Sequence, residues 1–475
     1  MSITGQLSRP AERQPSMATD NFRSFSASLI TQSETRLQRP GQLFASAAGD
    51  IATSISSTWV ATSSSKQIRV YNVPEADKSR AISPKATLSI KLVSKHEGIR
   101  AIALSEDLLA VITHSHLLVY EGYKTVGDLS SSLFDTRSVD NDQCWTPKSL
   151  SISQTGTTAM SEGASASIAV GGEGENGVKV FKYAYNNGWK AQNDRLILKC
   201  PRNNGAVKIV GFSPNRRNAM YGPMAFALTT GNQLYCWSLG RSARAGMQSM
   251  QPSWHIDCNS TSNQRPYRDE ISSAALIISP TGRPYMFCTV NHKQGSHLLP
   301  TFIVPVDMLE KDPCVLRHQM RPISDTIVGT NILAGFASSN GHFLVIIEKG
   351  MKKETLKILS LQGAYDGGLT CAARAQAWEA KLRSTGADTS AISISIEEQY
   401  GALQIKAVDG RGHVHSARVS VPDMPACEQP SLAGSGSTLE LPHGAPIGEL
   451  SSDESSRQSF ATLDQLPERA EAIPG

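Results

Sequence analysis

Short runs of alternating apolar and polar residues recur along most of this chain, and they come in sets of three. In each set an alternating run leads into a turn, a run rich in small residues, a second turn, and a β-rich run that ends on an aromatic or apolar residue. The closing runs are Ile68–Tyr71, Leu117–Tyr120, Val178–Phe181, Leu234–Trp237, Phe302–Pro305, Leu356–Leu359 and, more faintly, Val414–Ala417. A period of two puts successive side chains on opposite faces, which predicts strands and not helices.

The first two runs of each set can be placed beside the third. They are Asp50–Ile55 and Thr58–Ser63, Ile99–Leu104 and Leu108–Thr113, Ser149–Ser153 and Ser167–Gly171, Val207–Ser213 and Ala225–Thr230, Ser273–Ile278 and Tyr285–Val290, Ile332–Ala337 and Phe343–Glu348, and Ile392–Ile396 and Leu403–Val408. Turn-forming pairs sit where hairpins need them, at Asn176-Gly177, Gly231-Asn232, Thr281-Gly282, Asn340-Gly341 and Asp409-Gly410. The middle runs are small and apolar on both faces, which suits a strand sandwiched between neighbouring sheets. The ends of the closing runs lie 49 to 68 residues apart, somewhat above the ~40–50 residues of a four-stranded propeller blade. These features predict an all-β fold, a seven-bladed β-propeller over residues 22–421, between disordered tails at 1–21 and 422–475.

A fourth, outer strand follows some units, most clearly at Ala86–Val93 and Arg195–Cys200. The seventh unit has none of its own, because Pro422 and Pro425 arrive almost at once and proline cannot sit inside a paired strand. The alternating segment Phe25–Thr31 is expected to supply it and so join the start of the ring to its end, with Gln42–Ala47 as the alternative. One stretch breaks the β pattern. Cys371–Arg383 is Ala-rich, carries Ala375, Trp378 and Leu382 at helical spacing, and is followed by Gly386, which predicts one short inserted helix.

Val207–Leu239, with its strand, turn, small-rich strand, turn and strand ending in Trp237, resembles a WD-repeat unit. Ile99–Tyr120 with the preceding Lys95-His96-Glu97-Gly98, and Ser273–Gly282 with its Ser279-Pro280-Thr281-Gly282 turn, are similar. The resemblance spans roughly residues 25–420 and lies in the pattern. No Trp-Asp dipeptide occurs, Trp237 being followed by Ser238, and Gly341-His342 and Gly412-His413 fall at turns within units. The resemblance implies a ring that serves as a platform for other proteins, usually without catalysis. The F-R-R-G motif of phosphoinositide-binding relatives is absent from this chain.

Composition changes the picture little. Hydrophobic residues make up 40% and charged residues 19% of the chain, as suits a globular core. With no apolar run of about 18 residues, no transmembrane helix is expected. The N-terminus lacks the apolar stretch of a secretory signal. The eight cysteines, at 144, 200, 236, 258, 288, 314, 371 and 427, form no CxxC pair, so reduced thiols in a cytoplasmic and/or nuclear protein are expected. Charge is unevenly spread: residues 1–40 carry +2, residues 421–475 carry −7, and the part between carries +9. A basic body is suited to an acidic partner.

Candidate chemistry is sparse. GxSxG, HExxH and GxxxxGK[ST] motifs are absent. Gly171–Gly177 is Gly-rich, but Glu173 and Glu175 would repel a phosphate, which favours a hairpin turn. His114 with His116, and His413 with His415, have the one-residue separation that places two imidazoles on one strand face. Their position at turns favours exposed polar residues over a metal site. His292 and His297 bracket a loop. Asp107, Asp269 and Glu270 near first-strand edges are the acids a propeller enzyme would use, although acids there also discourage edge-to-edge aggregation. Arg216, Arg217, Arg241 and Arg244 are candidate contacts to phosphate or to a partner. Ser451, Ser452 and Ser459, in Leu450–Phe460, are candidate phosphorylation sites. The resulting expectation is a non-enzymatic protein-interaction scaffold needing no cofactor or metal. The alternative is a ring that binds phosphate or nucleic acid through a basic surface.

Overall fold

The computed structural model describes residues 28–37, 52–56, 59–64, 66–73, 81–90, 97–123, 134–138, 145–155, 163–201, 205–216, 218–240, 248–257, 270–291, 302–306, 321–322, 331–338, 340–349, 354–361, 374–378, 393–399, 401–408 and 412–420. All of them belong to one compact unit, Met1–Cys427. The tails expected at 1–21 and 422–475 lie outside the described residues, as does Gln42–Ala47.

The chain opens with β1 (Ser28–Arg36) and then builds antiparallel sheets in sequence order. The first contains β2 (Ala52–Ile55), β3 (Trp59–Ser63), β4 (Gln67–Asn72) and β5 (Ala86–Ser89). The second contains β6 (Ala101–Leu104), β7 (Leu108–Ile112), β8 (His116–Glu121) and β9 (Phe134–Ser138). The third contains β10 (Ser149–Thr155), β11 (Ser165–Gly171), β12 (Val178–Tyr185) and β13 (Trp189–Leu198). The fourth contains β14 (Val207–Phe212), β15 (Met224–Thr229), β16 (Gln233–Ser238) and β18 (Trp254–Asp257). Between β16 and β18 the short β17 (Ser249–Met250) reaches back and pairs in parallel with β13, adding a fifth strand to the third sheet.

The fifth sheet contains β19 (Glu270–Ile278), β20 (Pro284–Asn291), β21 (Phe302–Pro305) and β22 (Arg321–Pro322). The sixth contains β23 (Asn331–Ala337), β24 (Phe343–Lys349), β25 (Glu354–Ser360) and β26 (Arg374–Trp378). The seventh contains β27 (Ser393–Gln399), β28 (Ala402–Val408) and β29 (His413–Ser420), and β1 completes it. The innermost strands touch in the order β2, β6, β10, β14, β19, β23, β27 and back to β2, the arrangement of a β-propeller.

Ring closure uses the segment whose alternation suggested it, displaced a few residues along the chain. β1 runs antiparallel to β29 from Ser28 opposite Ser420 to Arg36 opposite His413, with an irregularity between Leu29 and Thr31. Leu37 extends the join: its N–H donates to the Gly412 carbonyl at 2.8 Å, and its side chain is buried with Val60, Tyr71, Val73, Val408 and Val414 between the seventh and first sheets.

The expected fold, a seven-bladed propeller carrying one inserted helix, is corrected at the helix. The middle of Cys371–Arg383 is strand β26, paired antiparallel with β25 at Leu359–Arg374, Ile358–Ala375 and Leu356–Trp378, and no helix occurs among the described residues. Helix propensity separates ordinary residues by at most about 0.7 kcal/mol each, and a helix this short is marginal alone. An open edge on β25 would leave a row of backbone donors and acceptors unpaired, so pairing prevails. Outer strands are also more general than the sequence suggested, since every sheet has at least four strands.

The core lies between the sheets. Phe181 and Tyr183 of the third sheet pack with Leu108, Ala110 and Ile112 of the second, and Tyr235 and Trp237 of the fourth pack with Val178, Val180 and Leu198 of the third. Trp237 and Tyr235 are fully buried, and each large side chain so enclosed is worth roughly 1.5–3 kcal/mol. Small residues make the close approaches work. A Cβ on Gly335 of β23 would lie under 3.0 Å from the ring of Phe287 on β20, closer than real Cβ atoms come, whereas at Gly231 the nearest neighbour would be Thr229 Oγ1 at 3.7 Å. Gly335→Ala is therefore expected to overpack the joint between the fifth and sixth sheets and cost about 1–3 kcal/mol, while Gly231→Ala stays close to wild type. Thermal unfolding of the two variants measures the difference.

Candidate functional site

A serine directly follows the first strand in four of the sheets. Ser105, Ser213, Ser279 and Ser338 each accept, on Oγ and at 3.1 Å, an N–H at the start of the second strand: those of Leu108, Met224 and Phe343, which open β7, β15 and β24, and that of Arg283, the residue just before β20. Serine favours this local bond because its short side chain reaches the backbone within the turn. The result is a set of fixed turns from which polar side chains reach the neighbouring sheets.

Those side chains form a series of ties. Ser54 Oγ accepts the Leu104 N–H at 2.9 Å, joining the first sheet to the second. Gln154 Nε2 donates to Asp107 Oδ2 at 2.6 Å, and the Asp107 N–H returns to Gln154 Oε1 at 3.2 Å, joining the second to the third. Arg216, in the loop between β14 and β15, donates from Nη1 to the carbonyls of Ile278 and Ser279, the latter at 3.0 Å, and from Nη2 to that of Asn340. One guanidinium thus holds the fourth, fifth and sixth sheets. His342 Nδ1 lies 2.9 Å from Glu398 Oε2, joining the sixth to the seventh.

The last pair is enclosed, with 12% of the His342 side chain and 1% of the Glu398 side chain exposed. Burial pushes the Glu398 carboxyl up, and the hydrogen bond and charge of His342 are among the effects that outweigh it, so the group sits below the ordinary carboxylate value. Glu173, within the Gly-rich segment, is also held low, first by its hydrogen bond with Lys148 at 2.8 Å. That pair is surface-exposed and contributes little to stability. The segment itself is the turn between β11 and β12, closed by the Gly172 N–H on the Gly177 carbonyl.

The histidines take structural places. The His114 Nδ1 accepts the Gly98 N–H at 3.2 Å. His116 Nδ1 lies 2.8 Å from Ser115 Oγ and 3.3 Å from Glu97 Oε1, and Glu97, buried, also accepts from Thr113 and from Ser115 at 2.7 Å. This network binds the entry to β6 onto the turn between β7 and β8. His413 and His415 stack along β29 with centroids 6.3 Å apart. Cys200, Cys236 and Cys288 are buried and form no disulfide. Burial pushes the thiols of Cys200 and Cys236 up, away from the reactive thiolate form. Among the described residues no cluster of three or more His, Cys, Asp or Glu side chains is arranged to hold a metal ion.

Of the four arginines singled out by sequence, only Arg216 is described, and it is turned onto backbone carbonyls. Arg217, Arg241 and Arg244 lie outside the described residues, as do Asp269, His292, His297, Ser451, Ser452 and Ser459. Glu270 opens β19 opposite Asn291. Sequence reasoning missed Glu398 and Gln154, whose partners stand 56 and 47 residues away. The seven-part repeat places both near the end of a first strand, the one signal that points to them.

No family model matches the chain, and no curated protein matches it. Among solved structures, a chain from the S. cerevisiae assembly described as Dbp5 bound to Nup159, Gle1, IP6 and ADP is 10% identical, with 84% of this chain and 96% of that one covered and a TM-score of 0.36. The Dos1 propeller is 13% identical, with 77% and 75% covered and a TM-score of 0.37. Hsv2 from Kluyvelomyces marxianus is 11% identical, with 76% and 89% covered and a TM-score of 0.36.

The low-lying carboxyl of Glu398 gives a pH signature. A carboxyl depressed in the folded state stabilises above its unfolded value, and that stability is lost as pH falls through the folded one. Glu398→Gln is expected to lower the thermal midpoint at neutral pH. The gap from wild type should narrow steadily as the medium is acidified below the ordinary carboxylate value, which melting curves across that range will show.

Proposed function

We propose that this propeller is a non-enzymatic docking platform for other proteins. The observation that carries the reading is the use made of its polar groups. Asp107, Gln154, Arg216, His342 and Glu398 bind neighbouring sheets to one another, which holds the turns of the ring as a rigid surface. Rigid surfaces bind partners with little ordering cost. The WD-like strand and turn pattern at Val207–Leu239 supports the same reading.

The alternative, phosphate or nucleic-acid contact through Arg216, Arg217, Arg241 and Arg244, gains no support from Arg216, whose donors meet three carbonyls. No helix among the described residues is long and apolar enough to cross a membrane. Buried reduced cysteines suit the cytoplasmic and/or nuclear setting proposed for the chain. Ser451, Ser452 and Ser459 are proposed as sites where added phosphate would deepen the negative charge of residues 421–475.

Affinity purification of the full-length chain from its native source, followed by size-exclusion chromatography, tests the proposal. It predicts at least one protein that co-elutes in fixed proportion and rebinds as a purified component. A chain that purifies alone, with bound metal that is lost on Asp107→Asn, would point to an enzyme instead.

A further inference from the structure

The second residue of each closing run occupies the same place in its sheet, and the sheets fill that place differently. In the first four it is Arg69, Leu118, Lys179 and Tyr235, all buried. Each stands across from a residue of the second strand: Thr62, Val111, Val170 and Ala227. In three of the four the side chain is satisfied. Leu118 lies with Val111 in an apolar cluster, the Lys179 ammonium sits 4.0 Å from the centroid of a Trp145 ring, and the Tyr235 hydroxyl donates to the Pro201 carbonyl at 2.5 Å.

Arg69 differs. It is 6% exposed, and its bond among the described residues runs from Nη2 to Gln67 Oε1 at 3.5 Å, the outer limit of a hydrogen bond. The guanidinium has five N–H donors, and none of the ion pairs among the described residues includes it. Directly opposite, Thr62 is 1% exposed, and its Oγ1 has no hydrogen-bond partner among the described residues. A buried charge with donors to spare is costly unless a counter-charge joins it.

Both side chains face the joint with the seventh sheet. Val60 and Tyr71, two residues away on the same strands, pack there with Val408 and Val414. The same alternation turns buried Lys406 and Ser416 of the seventh sheet toward this joint, along with exposed Arg418 and with Glu397, which stands opposite Gln404. Glu397 is the carboxylate that the described residues place on these two faces, so the joint is left net positive. The contact with Gln67, exposed beside Lys66 at the β3–β4 turn, puts the guanidinium near the end of the joint that opens to solvent.

We propose that Arg69 and Thr62 form a binding site for a phosphate-type oxyanion between the first and seventh sheets. A guanidinium fork matches two oxygens of such an ion, and the Thr62 hydroxyl donates to another. The site stands apart from the platform reading and from the basic surface of Arg216, Arg217, Arg241 and Arg244. Its place is the joint where the ring closes, so the bound anion fastens the sheet completed by β1 onto the sheet that follows it.

The test titrates the full-length protein calorimetrically with inorganic phosphate and, separately, with O-phosphoserine, at an ionic strength held constant with sodium chloride. Saturable binding is expected, with a thermal midpoint raised by roughly 2 °C at a tenfold excess of ligand over its dissociation constant. Arg69→Leu, which copies the second sheet at this place, should fold and lose about tenfold or more in affinity, and Thr62→Val should lose about threefold. Binding of O-phosphoserine admits a phosphate carried on a partner's side chain; binding of inorganic phosphate alone restricts the site to the free ion; both sustain the proposal. Wild type that binds neither, or Arg69→Leu that binds as tightly as wild type, overturns it. Should Arg69→Leu not fold, unchanged binding by Thr62→Val overturns it instead.

Discussion

Everything in this fold depends on sheets that cannot bury both faces alone. Each gains its second apolar contact from the next, and the last must meet the first. The clusters between successive sheets show this directly: Leu403 and Ile405 pack with Val345 and Ile347 across the sixth and seventh sheets, and Val414 packs with Tyr71 and Val60 across the seventh and first. At that final joint the chain's own order fails it, because the seventh sheet has only three consecutive strands. β1 supplies the fourth, and Leu37 fills the gap beside it. Two ends of the sequence nearly 400 residues apart become one sheet, so the loop entropy of the whole ring is met by one run of strand pairing.

Polar ties reinforce the apolar joints without replacing them. A neutral hydrogen bond contributes about 0.5–1.5 kcal/mol, and one to a charged group about 1.5–3, while a single enclosed tryptophan can match either. The contribution of Arg216, Asp107 and the His342–Glu398 pair is better understood as position. They fix where each turn sits relative to its neighbour, and a surface made of turns is useful for recognition only when those positions are constant. The link from structure to the proposed function therefore runs through rigidity.

The strands were largely legible in the sequence because their signal is local. Leu234–Trp237 reads as a strand from alternation alone, and Ser279-Pro280-Thr281-Gly282 reads as a turn from its residue types; both are found in place as β16 and the turn before β20. The closing strand was legible for a different reason, the lack of room before Pro422. What was not legible depends on distant pairing. Arg374–Trp378 looks helical until the edge of β25 is beside it, and Ser249–Met250 has no β pattern until it meets β13. Arg216 resembled a surface cation because nothing nearby in the chain reveals that the Asn340 carbonyl, 124 residues on, will receive it. For the candidate site, residue types were visible and their partners were not.

Closure by β1 is open to direct measurement through hydrogen–deuterium exchange of the native protein, followed at the amides of Ser28–Arg36 and His413–Ser420. The account predicts that the two strands are protected together and lose protection together as denaturant is added, because the ladder between them is one structure. Exchange of the first strand at the rate of an unstructured peptide, with the last strand still protected, would contradict it.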